Sequence, residues 1–568
     1  MRDTSRRLDR VLPLLSLAFV LVEFVRSGLV EALDNWKVGM GDQNGYLRLA
    51  LRVAIGDGYD NGNFHPLLAF LLSPLASREW QFYTDAKLAN LVIATLAIAV
   101  VFAVGWRLFG TAPALAASAA LAFSAEFWER AVRTEPEALL TGLFCAAWGA
   151  WVLSLARPRL AWLAGALAGL AYLAKGTGQF LLLGYVLYAV LAYVHAALHS
   201  RPGPRRVAPL AAFVIAYLAV ASPLLITNRR VFGSPFYAFP SAHAMWYDHW
   251  EDRYATPDGR HITWRTYIAT HSPAQARDRF RHGVIDLPQA WREALIIDPP
   301  DIIKQTLIAL ALLLGAMFVW KWIRRSRATV PERTGSSSAH GERGPTLRHA
   351  LGTFAVIFGP TYVFFAWYTP IANSPRFLLP LTPIVYLLAA ALADRGLRRL
   401  SMAVGDPRLY PRWREILLPA GLVLATATVI IGGEWVSPPE IAASDRQHNA
   451  AAVAVLAAIR QTVPVGGTVV WGPGNLANWS LHQQYAFVPI PPRVADVPAL
   501  EAYMRRVGAT TILLSPDMVL NRAGVFTPYF YYVNSSTIGI DGVPPGWHMV
   551  AAFPDDSCRY CLFTVRTE

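Results

Sequence analysis

About eleven stretches of this chain are apolar enough and long enough to cross a bilayer, since a hydrocarbon core of ~30 Å takes about 20 residues of helix. They fall near residues 11–33, 88–108, 111–126, 138–156, 160–175, 179–198, 207–227, 302–322, 348–367, 376–394 and 416–434, the third and fifth being the shortest. A chain of 568 residues that is 54% hydrophobic and only 16% charged cannot place that much apolar surface in one soluble core. The expected fold class is a polytopic α-helical membrane protein.

The basic N-terminus, with Arg2, Arg6, Arg7 and Arg10, precedes an apolar run that is long for a cleavable signal and lacks a clear small-residue cleavage site, so it reads as the first transmembrane helix. A net charge of +13 does not indicate nucleic acid, because the cations lie in short loops between apolar runs rather than along one basic face. Arg201, Arg205 and Arg206, then Lys321, Arg324, Arg325 and Arg327, then Arg395, Arg398, Arg399, Arg412 and Arg414 all fall on the side of the N-terminus if the count of spans holds. That side is expected to be cytoplasmic. The loops at 34–87, 126–137, 228–301 and 368–375 then lie outside, together with the C-terminal tail.

Composition changes after residue 434, dividing a membrane module (1–434) from a small extracytoplasmic α/β domain (435–568). Within the latter, helical spacing over 446–462 and around 498–507 alternates with strand-like runs at 467–471 and 510–515. A closing hairpin is expected from 549–553 and 562–565, with Cys558 and Cys561 in its connection. In an oxidising compartment that pair reads as a local structural disulfide rather than a redox centre, and Cys145, inside a span, as a small core residue. Thr329 to Pro345, with its Gly335-Ser-Ser-Ser338 run, reads as a polar cytoplasmic connector.

Outside the membrane, the first loop carries the chemistry-bearing pattern. It opens with Gly41-Asp-Gln-Asn-Gly-Tyr46, and the run from Tyr46 to Ile55 puts Leu47, Leu51 and Ala54 on one stripe with Arg48 and Arg52 four apart, as in a helix lying at the interface. Asp42 stands just before that helix, where an aspartate ordinarily caps the free N–H groups, and local sequence alone favours the cap. Glu23 and Arg26, three apart in the first span, read as a neutralising pair in the bundle rather than a proton path. The aromatic and acidic stretch from Tyr237 to Asp252 suits sugar stacking, but suits a loop resting on the interface better.

The order Asp42, Tyr46, an amphipathic helix, Gly56-Asp57-Gly58, Pro66-Leu67 and Ala86-Lys87-Leu88-Ala89-Asn90 resembles the first luminal loop of GT-C fold glycosyltransferases. The nearest branch is the bacterial group similar to protein O-mannosyltransferases and the lipid A aminoarabinose transferase. Further likenesses follow in family order at Arg133-Thr-Glu135-Pro-Glu137, Gly169-Leu-Ala-Tyr-Leu-Ala-Lys175-Gly176, Thr227-Asn228-Arg229-Arg230-Val-Phe-Gly233-Ser-Pro235 and Pro375-Arg376-Phe-Leu-Leu-Pro380. The chain departs from the group where Asp42-Gln43 replaces a common Asp-Glu and His65-Pro66-Leu67 a common Pro-Pro-Leu.

The resemblance implies a glycosyltransferase of a bacterial plasma membrane that moves a hexosyl or pentosyl group from a polyprenyl-phosphate donor to a lipid, glycan or protein hydroxyl. Such a reaction needs a base for the hydroxyl and cations for the departing phosphate. Asp42 is the expected base. Lys87, Lys175 and Arg376 are the expected phosphate ligands, against the alternative that each snorkels to headgroups. Glu135 or Glu137 serves as second acid or acceptor ligand, with Tyr46 and His65 beside them in the first loop. No tight metal-ligand spacing appears, so no cofactor is expected to be required, with a divalent cation as the alternative. A secondary transporter or lipid flippase is the rival class, but it predicts internal repeats and helices broken at mid-membrane depth, whereas no clear repeat appears and the charged loops are concentrated on the outer face. A non-catalytic scaffold is the third reading. The enzyme reading stands or falls on Asp42 facing cations across a cavity rather than open solvent.

Overall fold

The computed structural model describes residues 2–34, 37–39, 41–199, 207–249, 252, 259–296, 347–369, 371–403, 419, 422, 439–471, 479–491, 493–534, 537–553 and 558–566. The membrane-facing part is built from α1 (Arg2–Asp34), α2 (Gln43–Ala54), α3 (Leu67–Leu72), α4 (Gln81–Phe109), α5 (Thr111–Ala122), α6 (Ala125–Ala131), α7 (Glu137–Ser154), α8 (Ala161–Ala174), α9 (Gln179–Leu198) and α10 (Val207–Phe232). After it come α11 (Phe239–Ala242), α12 (Trp264–Thr270), α13 (Pro273–Ala294), α14 (Leu347–Tyr368) and α15 (Thr382–Ala403). Among the described residues six helices, α1, α4, α7, α9, α10 and α14, are long and apolar enough to cross a membrane, while α5 and α8 are shorter apolar helices. The chain is a multi-pass membrane protein. The expected spans at 302–322 and 416–434, the connector at 329–345 and most of the basic clusters lie outside the described residues. The expected span at 376–394 starts later, because Pro375–Phe377 and Leu379–Leu381 form two 3₁₀ turns before α15.

Small residues set the contact of α8 with α10. Gly165 and Gly169 on α8 lie four apart on the face toward α10, and a Cβ on either would strike the carbonyl of Phe213 or Tyr217. This close approach of backbones is the usual means of helix association in lipid, and it fixes the C-terminal end of α8 beside α10. In α1, Glu23 is fully buried and accepts two bonds from Arg26, at 2.8 and 2.7 Å, so the pair neutralises itself inside the span.

The C-terminal region is α/β. Behind α16 (Pro439–Thr462) a five-stranded sheet runs in the order β2 (Ala486–Val488), β1 (Thr468–Trp471), β3 (Ala509–Leu514), β7 (Tyr560–Val565), β6 (Trp547–Phe553). The first three strands are parallel, with α17 (Val497–Val507) crossing from β2 to β3, and β7 and β6 close the sheet as an antiparallel hairpin. A second pair, β4 (Phe530–Asn534) and β5 (Thr537–Ile540), is separate. Cys558 and Cys561 are bonded to each other, but Cys561 lies within β7, opposite Leu514 and Ala552, rather than in the hairpin connection. Cys145 is a free buried thiol.

The two parts share a core. Leu47, Leu49 and Ala50 of α2, Leu68 and Leu72 of α3 and Phe82 and Tyr83 of α4 pack in one cluster with Ala452, Val455 and Ile459 of α16 and with Trp479. The rings of Trp80 and Tyr83 stand 5.8 and 6.2 Å from that of Trp479, and Ser480 Oγ donates to the carbonyl of Arg78 at 2.6 Å. Consequently α2 is not a helix lying free at the interface: the α/β region covers it, and its buried residues run around more than one stripe.

Candidate active site

Asp42 occupies the position before α2, yet its side chain makes no capping bond. Its carboxylate instead receives Arg376 Nη1 on Oδ2 at 3.0 Å, with about a third of the Asp42 side chain left accessible. A cap would have satisfied a local N–H and fixed the carboxylate against its own helix. Here the start of α2 is held from elsewhere. The Asp42 N–H donates to Glu135 Oε1 at 3.1 Å, and the Gln43 side chain accepts from the Thr134 N–H at 3.2 Å and from the Tyr83 hydroxyl at 3.3 Å. Gly41 makes this approach feasible: its φ is +66°, and a Cβ there would collide with Glu135 Oε1.

Glu135 is completely buried, and its second oxygen takes Arg130 Nη1 at 2.9 Å, while Arg130 Nε holds Glu126 at 2.8 Å. Burial raises the proton affinity of Glu135, the negative charges of Glu137 and Asp42 add to that, and Arg130 opposes it. The second outer loop itself is pinned by Asn90 of α4, whose amide donates to the carbonyls of Arg130 (2.9 Å) and Arg133 (2.6 Å).

Two residues after Glu135, Glu137 opens α7 and is bonded to Lys175 through Oε1, while among the described residues its buried Oε2 has no hydrogen-bond partner. Lys175 follows α8 in extended conformation (φ −160°, ψ 147°), which turns its side chain off the helix. The Phe377 ring links the two expected phosphate cations: Lys175 Nζ stands 5.3 Å from its centroid and Arg376 Cζ 5.1 Å. Burial disfavours the charge on Arg376, but Asp42, Glu137 and Glu135 together outweigh it and hold the guanidinium above its ordinary proton affinity.

Tyr46 lies one turn along α2, buried against Phe64 at 4.9 Å. Its hydroxyl is pushed well above the usual phenol range by burial, then by Glu137 and Asp42. His65 packs edge-on to Tyr172 at 4.9 Å, beside Gly176. Burial, aided by the Lys175 charge, lowers it to about 4, so it is neutral at pH 7. Lys87 is placed differently from the other two cations: it is 1% exposed, with its ammonium 4.4 Å above the ring of Tyr83, on the Gln43 side of the site. Neither Lys87 nor Lys175 reaches headgroups by snorkelling in the ordinary sense, since each is engaged inside the protein.

Sequence reasoning missed Arg130 and the roles of Gln43 and Asn90. Arg130 sits in Ala125-Glu-Phe-Trp-Glu-Arg130-Ala, where three charges on a short helix look solvated. Glu126 and Arg130 are nevertheless buried, because α6 is tucked under the second loop. The aromatic loop is also mainly architecture: Arg279 donates to the carbonyls of Tyr247 (2.7 Å) and Met245 (3.1 Å) and lies against the rings of Tyr267 and Trp367. Among the described residues no three His, Cys, Asp or Glu side chains are grouped as metal ligands.

Residues 69–226 match the sequence profile of the family described as dolichyl-phosphate-mannose-protein mannosyltransferase. The structure is similar to that of ArnT from Cupriavidus metallidurans in the apo state, with a TM-score of 0.50 at 15% identity, covering 98% of each chain. It is also similar to the Archaeoglobus fulgidus oligosaccharyltransferase in the apo form, with a TM-score of 0.50 at 14% identity, covering 94% of this chain and 74% of that one. This chain has the GT-C fold. No curated protein matches it by sequence. The profile match spans α3 through most of α10, and so includes Lys87, Glu135, Glu137 and Lys175, whereas Asp42 and Arg376 lie beyond it on either side.

Proposed function

We propose that this GT-C protein transfers a monosaccharide from a polyprenyl-phosphate donor to the hydroxyl of a lipid, glycan or protein acceptor at the outer face of a bacterial plasma membrane. The observation that carries the reading is Asp42, an aspartate left uncapped and paired across 334 positions with Arg376 at 3.0 Å, next to a second carboxylate–cation pair, Glu137 with Lys175.

In the resting site each cation is held by a carboxylate. A donor phosphate competes for Arg376 and Lys175, because a phosphate offers more acceptor oxygens and more charge than one carboxylate oxygen. Arg376 moving onto the phosphate uncovers Asp42 at the moment a base is wanted. Asp42 then takes the acceptor hydroxyl proton, the acceptor oxygen bonds to the anomeric carbon, and the bond from that carbon to the phosphate oxygen breaks. The lipid phosphate leaves against Arg376 and Lys175, and the proton on Asp42 passes to solvent through its accessible face. Glu135 holds the Asp42 backbone, and the unpartnered Oε2 of Glu137 is available to an acceptor hydroxyl. In the alternative reading, Glu137 and Asp42 would be the residues to hold a divalent cation, which would supply positive charge to the departing phosphate.

The test is transfer of labelled sugar from a polyprenyl-phosphate donor by the purified full chain and its Asp42→Asn variant. Loss of transfer in a folded variant supports the reading, and retained transfer overturns it. Mass analysis of envelope lipids and glycans from cells lacking the protein identifies the sugar and the acceptor.

A further inference from the structure

At the C-terminal end of α10 the helix surface is concave. A groove of about 430 Å³ is walled by Leu218, Leu225 and Ile226 and rimmed by Arg229, Arg230 and Pro235. Leu218 and Ile226 are 40% and 51% exposed, so in a bilayer they face lipid. Pro223 supplies no N–H to the carbonyl of Ala219, which instead accepts from Ser222 Oγ at 2.8 Å. The wall therefore presents little unmet polarity.

The rim is of opposite character. Arg229 Nη1 donates to the carbonyl of Gly233, which closes the turn that forms the upper edge. Both guanidiniums are exposed, and among the described residues neither forms an ion pair with a carboxylate, in contrast to Arg376, Arg130, Arg133 and Lys175. Two adjacent unneutralised arginines at the mouth of an apolar groove match an anionic head on a long apolar tail. Such a pair engages phosphate oxygens through several charge-assisted bonds.

The groove is tied to the site. The Tyr59 hydroxyl is 3.1 Å from Thr227 Oγ1 on α10, and the Phe239 N–H donates to the carbonyl of Gly62 at 2.7 Å. Tyr59 and Gly62 belong to the glycine-rich loop that ends at His65, next to Gly176 and Lys175.

We propose that this groove docks the isoprenoid chain of a polyprenyl-phosphate lipid, with Arg229 and Arg230 holding its phosphate in a waiting position separate from the Asp42 centre. The inference rests on the polyprenyl-phosphate reading of the donor. A lone snorkelling cation would need no concave apolar wall beneath it, and a zwitterionic headgroup would leave two arginines in charge excess.

The experiment is photolabelling of the full chain in phosphatidylcholine nanodiscs with a synthetic polyprenyl monophosphate carrying a diazirine near its phosphate. Labelled peptides are sequenced by mass spectrometry. Label is expected on residues 218–230 and is expected to fall about tenfold or more in the Arg229→Ala/Arg230→Ala double variant, given the usual worth of hydrogen bonds to charged groups. Ile226→Trp, which fills the groove from an exposed position and leaves both charges, is expected to lower it as well. Unchanged labelling of α10 in both variants overturns the proposal, as does competition by phosphatidylglycerol equal to that of unlabelled polyprenyl phosphate, which makes this an annular site for any anionic lipid. Asp42→Asn separates the two readings: it is expected to label as the unsubstituted chain does while losing transfer, and an Asp42→Asn protein that still transfers sugar sinks the catalytic role while leaving the labelling result to stand on its own.

Discussion

Asp42 and Asp496 hold the same formal position, each immediately before a helix, and they do opposite things. Asp496 accepts the Ala499 N–H at 2.8 Å and caps α17. Asp42 accepts nothing from α2 and is bonded to a guanidinium from the far end of the membrane module. Ser124, Thr263, Ser272 and Ser515 side with Asp496, each accepting an N–H from the first turn of its helix. The capping rule is thus obeyed where a helix has only to begin, and set aside at one aspartate with accessible surface, a distant cation and a second buried carboxylate holding its backbone. Departures of this kind collect at functional sites, where local preference yields to geometry wanted for another purpose.

The sharpest way to break that contrast is to neutralise Asp42. Asp42→Asn is expected to cut sugar transfer by roughly 10²–10⁴, the usual worth of a general base, while lowering the thermal unfolding midpoint of the full chain only slightly, since no cap is lost and an amide oxygen can still accept from Arg376. A drop in stability with transfer intact would make Asp42 a structural residue after all.

Next in size is Glu135→Gln. The amide keeps an oxygen for the Asp42 N–H but turns an NH₂ donor toward the donating guanidinium of Arg130, so the backbone under Asp42 is expected to shift. A loss of about tenfold to a hundredfold in kcat with little change in KM is the expected signature of misplacing a base. A rise in KM alone would assign Glu135 to substrate binding instead.

What the sequence disclosed follows from the range of each interaction. Spans were legible because hydropathy is a sum over neighbours: α4, α7, α9, α10 and α14 fall where the runs at 88–108, 138–156, 179–198, 207–227 and 348–367 put them. Strands β1 and β3 and the closing hairpin of the α/β region were legible through alternation and turns, whereas the short edge strand β2 and the parallel pairing were not. The partnership of Asp42 with Arg376 was not deducible from spacing, and only the order of short motifs shared with GT-C proteins brought both residues into view. The amphipathic run of α2 is expected at the interface and lies instead under the α/β region, because covering by a remote segment leaves no local trace: α16 and Trp479 bury α2. The burial of Arg130 is equally unmarked in the sequence, since Asn90 draws the loop after it inward. His65, expected in the first loop of the site and a departure from a Pro-Pro-Leu pattern, is a buried neutral ring beside Lys175.

Buried ionisable groups extend the comparison to the two parts of the molecule. In the membrane module the buried Glu135 and Glu137 meet opposite charges, Arg130 and Lys175. In the α/β region His448 on α16 is 8% exposed, and burial, with Arg559 and Lys37 adding, holds it down to about 3. An unfolded histidine titrates near 6.5. The folded value is the lower one, so its contribution to stability is complete above about pH 6.5 and is lost as pH falls toward 3. At pH 4.5 the loss is expected to reach ~2–3 kcal/mol. His448→Gln should flatten the fall in unfolding midpoint between pH 7 and 4.5, and an unaltered pH profile would show that the ring does not stay neutral in the fold.

The smallest effect tests the ordinary half of the contrast. Asp496→Ala removes a cap bond of 2.8 Å from a helix whose other end is already closed by Gly508 at φ +67°, so the damage is confined to the first turn. Losses of this type run to about 1 kcal/mol, which chemical denaturation of the full chain can resolve. Sugar transfer is expected to be unchanged, because α17 faces Ile512 and Met518 in the core of the α/β region rather than the shared core under α2. If Asp496→Ala impaired transfer as Asp42→Asn does, the α/β region would be acting on the reaction itself, and the separation between a capping aspartate and a working one would fail. If it cost no stability either, the capping geometry would be incidental, and the absence of a cap at Asp42 would no longer distinguish it.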